Sequence, residues 1–338
     1  MKEKLISMLL FSLLALLAGA AVQAQDKTNY LLFVHNDGTG VVGYLDHNGS
    51  FVQTQTRYDF ANWTKVVSTE NGVLFYNNDG RAAVGQIDRQ GQFTTTFTST
   101  SFTAYWTHIV NTGRHLLFVR YDGMGVVAHI NRAGQFVYTQ TYAAGSFAPN
   151  WTHVVSTNDG ILFYRASDGL SAVGRIDLDG RFTTTQSFAP GSFAAGYSKI
   201  ISTGKDLFFY RNDGLGATGH INRAGKFVQT QSLPIGTVGS NWTHIVDTGR
   251  YLFFYRAGDA AGALGRIDGA GQFATAQSYA PGSFSADYDE IVEISGSLLF
   301  YRADGYAPLQ WFGYGGDLNL TAELYLSDTW AHIVKVSQ

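Results

Sequence analysis

The chain has 338 residues, among them 24 Phe, 19 Tyr, 6 Trp, 39 Gly, 5 Pro and no Cys, with a formal charge of −3. At 45% hydrophobic and only 14% charged it has the makeup of a folded chain, not a disordered one. The lack of cysteine excludes disulfides, thiolate nucleophiles and Cys-ligated metals, and the charge excludes the basic surface that nucleic-acid phosphates require.

At the N-terminus, Lys2 and Lys4 precede an apolar run over residues 5–21, and Val22-Gln23-Ala24 offers small residues before Gln25. This order of segments predicts a signal peptide over 1–24, cleaved after Ala24. The mature chain, 25–338, is then a single domain, secreted or periplasmic, with no membrane insertion. Next come three strand-like runs between residues 30 and 58, and from Trp63 a self-similar unit of about 45 residues takes over. A clear copy reads WTHVVSTNDGILFYRASDGLSAVGRIDLDGRFTTTQSF from Trp151. Its leading aromatic recurs as Trp63, Trp106, Trp151, Tyr197, Trp242, Tyr288 and Trp330.

Each unit holds four short runs rich in β-branched and aromatic residues, A (WTHIV), B (LLFYR), C (AVGRI) and D (GQFTTTQ), separated by Gly-containing turns. None has helical period over ten residues, which excludes helical solenoids. Runs A and B are apolar on both alternating faces, as in a sheet covered on both sides. Run D, with Thr and Gln, suits an exposed outer edge. Four strands per unit of this length predict an all-β, seven-bladed propeller of four-stranded antiparallel blades. The chain opens in run B and ends after a lone run A, so the seventh blade is expected from residues 330–338 plus 30–58. Pairing of the C-terminal strand with the N-terminal segment closes the ring and removes free edges.

The paired LFF or LFY before a Gly turn, the leading Trp and the period near 45 resemble the tachylectin-type propeller lectins. They are also similar to secreted bacterial repeat proteins of this pattern with no settled activity. The resemblance spans residues 30–338, with seven units where tachylectin has five. It implies binding of sugars such as N-acetylated hexosamines.

Within the units one spacing stands out. Fourteen residues after the leading aromatic comes Arg120, Arg165, Arg211, Arg256 or Arg302, and two or three residues later Asp122, Asp168, Asp213, Asp259 or Asp304. With Trp106, Trp151, Tyr197, Trp242 and Tyr288 these form a candidate sugar pocket per blade, on the face of the B–C turns and D–A links. The aromatic would stack on a pyranose, Arg donate to its hydroxyls and Asp accept from them. The same residues also read as scaffold: an aromatic packed between blades, a local ion pair and an Asp-Gly turn. His108, His153, His244 and His332, interrupted in the series by Lys65, Lys199 and Glu290, read as satisfied core histidines, as do His129 and His220. The Asp-Gly turns lack the alternating ligands of calcium loops, so no metal or other cofactor is expected. In the sixth unit, Asp287, Asp289, Glu290 and Trp311 depart from the pattern. The expected function is a non-catalytic, multivalent lectin binding glycans on cell surfaces or glycoproteins. A protein-binding or self-associating module and, after it, a propeller glycosidase are the alternatives.

Overall fold

The computed structural model describes residues 29–60, 62–326 and 330–336; the expected leader, 1–24, lies outside the described residues. Twenty-eight strands form seven four-stranded sheets, with no helix among the described residues. Six blades are continuous in sequence: β4–β7 (Lys65–Ser99), β8–β11 (Trp106–Tyr142), β12–β15 (His153–Phe188), β16–β19 (Lys199–Leu233), β20–β23 (His244–Tyr279) and β24–β27 (Glu290–Tyr325). They are called blades one to six. The seventh is split: β28 (Trp330–Val336) is the inner strand, followed outward by β1 (Tyr30–His35), β2 (Gly40–Leu45) and β3 (Phe51–Arg57). β28 pairs antiparallel with β1 from Tyr30↔Val336 to His35↔Trp330, which closes the ring as expected.

The sequence accounts for each layer. Second strands such as Gly72–Tyr76 and Asp206–Tyr210 are buried along their whole length, because neighbouring blades cover both faces. In the third strand a glycine makes room for the aromatic that opens the fourth. A Cβ on Gly85 would lie 1.9 Å from Phe93 Cζ, and the strand register shifts at that point.

Run D is more than an exposed edge. Its central Thr donates to the C–D turn of the next blade, as in Thr96 Oγ1 to Gly134 O at 2.8 Å and Thr185 Oγ1 to Gly225 O at 2.7 Å. The tyrosine ending run B is a second stitch. Tyr164 Oη accepts the N–H of Tyr197 at 3.1 Å and donates to Ala194 O at 2.8 Å; Tyr76, Tyr210, Tyr255 and Tyr301 serve their following blades likewise. Both devices satisfy buried backbone groups across a blade boundary, which ties the blades into one ring.

Candidate functional site

On the face of the B–C turns, the repeated aromatic–Arg–Asp set is built into the scaffold. Trp106 is 2% exposed and Tyr288 3%, and Trp151, Tyr197 and Trp242 are buried as well. Each packs on the phenylalanine of its own second strand, as Trp106 does on Phe118 at 5.5 Å and Tyr288 on Phe300 at 5.0 Å between centroids. Neither ring face is open to a pyranose. Arg165 spends its fork on Asp168, with Nε to Oδ1 at 3.0 Å and Nη2 to Oδ2 at 2.6 Å, and Nη1 donates to Pro149 O. Arg211 and Arg256 repeat this with Asp213 and Ala195 O and with Asp259 and Ser240 O. Arg120 and Arg302 fork onto Asp122 and Asp304. The Arg120 hydrogen bond holds the Asp122 carboxyl down to about 2. Arg165, Arg211 and Arg256 brace the B–C turn against the preceding link, and all five arginines commit Nε and Nη2 to their Asp.

The inner strands carry a second ring. Two residues after each leading aromatic stand Lys65, His108, His153, Lys199, His244, Glu290 and His332. Nε2 of His108, His153 and His244 reaches the main-chain oxygen of Thr152, Ser198 and Asp289 in the next blade at 3.3, 3.2 and 3.2 Å. A main-chain oxygen only accepts, so Nε2 carries the proton, while the Nδ1 atoms lie beside the hydroxyls of Thr107, Thr152 and Thr243. His332 reaches Trp63 O at 2.8 Å. Burial lowers the pKa of His108, His153 and His244, and also of Lys65 and Lys199. Burial pushes Glu290 up to about 7, against the N–H of Ile333. These histidines are inter-blade staples.

Two adjoining clefts open on the opposite face, among the A–B and C–D turns. One of about 540 Å³ lies between blades one, two and three, lined by Glu70, Arg114, His115, His129, Arg132 and Asp179 among others. A second, of about 340 Å³, adjoins it through the shared Arg114, His115 and Leu178 and extends to Arg175 and Arg223. Volumes of this order hold a small substrate. Strand register builds the core of the site. Leu116 pairs with Ala128, so the preceding His115 and the following His129 come side by side, their rings edge to face at 6.1 Å. Thr112 pins the turn by donating N–H and hydroxyl to His115 O at 2.8 and 2.9 Å.

His115 is only 6% exposed, and among the described residues its ring makes no hydrogen bond. Burial, then His129 and Arg114, lower its pKa and keep it neutral. His129 Nδ1 lies 3.4 Å from Thr139 Oγ1. Arg114 and Arg132 have no ion-pair partner among the described residues. A neutral imidazole beside two free guanidiniums can take a proton while positive charge faces an anion.

The sequence signal for this cleft is departure from the repeat. The cross-strand pair that is His115/His129 in blade two is Asp206/His220 in blade four and Ser297/Trp311 in blade six. Asp206 is buried with Oδ1 unpartnered, and Lys205 Nζ is 3.8 Å from its Oδ2. His129 and His220 therefore belong to variable pairs and not to a repeated core position. Among the described residues no three His, Cys, Asp or Glu side chains converge as for a metal ion. No described helix is long and apolar enough to cross a membrane.

No family model matches the chain, and no curated protein matches it. Solved structures do. A protein from Lactobacillus plantarum aligns over 92% of this chain and 100% of its own at 14% identity, with a TM-score of 0.68. The periplasmic gluconolactonase of Pseudomonas aeruginosa aligns over 92% and 99% at 14% identity, TM-score 0.66. A protein of Bacteroides fragilis provisionally named a 6-phosphogluconolactonase aligns over 93% and 99% at 14% identity, TM-score 0.65. At such identity the likeness shows the fold, a seven-bladed propeller. The expectation of a non-catalytic lectin is corrected: rings of this shape include proteins named as lactonases, which are enzymes. The propeller part of the tachylectin resemblance stands, and its sugar-binding part does not carry over.

Proposed function

We propose that the chain hydrolyses a sugar lactone in the His115 cleft, outside the cytoplasm. The observation that carries this reading is His115, a buried, neutral imidazole without a hydrogen bond, in the larger of two adjoining clefts and beside unpaired Arg114 and Arg132. The likeness to rings named as lactonases, one of them periplasmic, supports it, as does the leader-like order of residues 1–24. In the reaction, His115 takes a proton from a water whose oxygen bonds to the lactone carbonyl. Arg114 and Arg132 hold the oxyanion that forms. When the carbonyl re-forms, the ring C–O bond breaks and the departing oxygen takes the proton back from His115, leaving the open hydroxy acid. Glu70, Asn71 and Asp179 line the same cleft and suit the substrate hydroxyls.

The test is lactone opening followed in a pH-stat, with gluconolactone and its 6-phosphate as substrates and the spontaneous rate subtracted. His115→Ala should lower kcat by about a hundredfold or more, the usual worth of a general base, with an unchanged melting curve. No turnover above background by the parent chain refutes the activity. Full turnover by the His115 variant refutes the site. N-terminal sequencing of exported protein should begin at Gln25.

A further inference from the structure

The inner-strand ring departs from histidine at three blades, and two of the replacements are lysines. Lys65 belongs to blade one and Lys199 to blade four, three steps apart in a ring of seven and so on opposite sides of the axis. At this register the histidines are tied off by the main chain of the next blade, whereas neither ammonium group has a hydrogen-bond or ion-pair partner among the described residues. Both lysines are half-buried. Their charges act on the ring itself, Lys65 on His108 and Lys199 on His153 and His244. A cation withdrawn from water without a counter-ion is costly, and two such cations about one axis create a focused positive potential. The long lysine stems allow both amines to swing toward the axis. Glu290 is the one acid at this ring position, in blade six, with histidine on either side.

We propose that the mouth of the ring on the side of the D–A links is an anion site, in which Lys65 and Lys199 together hold a phosphate-sized dianion. The site is distinct from the His115 cleft, which opens among the A–B turns at the other end, and it does not depend on the activity assigned there. Glu290 opposes the anion when ionised, so it tunes affinity instead of contributing to it.

The experiment is isothermal titration of the mature chain with inorganic phosphate at neutral pH and low ionic strength. One phosphate should bind, and Lys65→Met or Lys199→Met should each weaken it about tenfold, as expected for loss of one charge–charge contact. Lys65→Arg should retain binding, and Glu290→Gln should tighten it. Methionine keeps the apolar stem, and Lys65→Gln provides a second neutral variant should the first be poorly folded. Arg114→Met should leave the axial site unaffected. Binding that survives both lysine changes but is lost with Arg114→Met puts the anion in the cleft and overturns the proposal. Absence of binding up to about 10 mM, a Kd corresponding to under 3 kcal/mol, overturns it as well.

Discussion

Glu290→Gln is a direct test of how far the inner ring is removed from water. Burial raises the Glu290 carboxyl from 4.5 to about 7. Because the folded-state value lies above the unfolded one, its contribution to stability is complete below 4.5 and is lost as pH rises toward 7. The gap corresponds to ~3 kcal/mol as an upper bound at about 1.4 kcal/mol per tenfold. Between about pH 5 and pH 8 the ionising carboxyl should remove ~2 kcal/mol from the parent but nothing from the glutamine variant. For a chain of this size that is a relative shift in Tm of about 3 °C. The assay is thermal melting of parent and variant across this range, read as the difference between them, so that other titrations cancel. The difference should grow in favour of Glu290→Gln as pH rises. Two parallel profiles would refute the reasoning, since they would mean that solvent reaches Glu290 freely in the fold.

The stapling histidines titrate with the opposite sign. Their folded pKa values lie below 6.5, so their contribution is complete above 6.5 and is lost as pH falls through the folded values. His153→Gln, which keeps a donor for Ser198 O, should flatten the acid limb of the melting profile; an unchanged limb contradicts the neutral tautomer. Tyr164→Phe removes the hydroxyl that accepts the buried N–H of Tyr197 and should cost about 1–3 kcal/mol, whereas Tyr58→Phe, at an exposed ring, should cost nothing measurable by denaturant titration. Deleting Trp330 to Gln338 removes β28 with its buried Ile333 and Val336, a loss of at least ~3 kcal/mol of burial before any exposed edge is counted. A truncated chain that melts with the parent would show that the ring does not need its closing strand.

The repeat in the sequence determined the strands, their number and the closing of the ring. The alternation of apolar and polar residues is set by the pleat, and the spacing of Gly turns fixes where each strand stops. Leu-Phe-Phe-Tyr in a short run between turns has few alternatives to a buried strand, and a lone run A after six full units leaves one partner for it, β1. The same regularity concealed the chemistry. Trp151, Arg165 and Asp168 recur in step whether they hold a sugar or hold the blade, and only the assembled ring shows the guanidinium spent on Asp168 and Pro149 O. His115 and His129 are unremarkable in the chain because they are separated by a hairpin. They become a pair through the register of Leu116 with Ala128, and they line a cleft only once blades one and three stand on either side. Local sequence sets which face of a strand a residue takes. What that residue meets across a blade boundary depends on packing between units distant in the chain, and the groups of the proposed site lie at those boundaries.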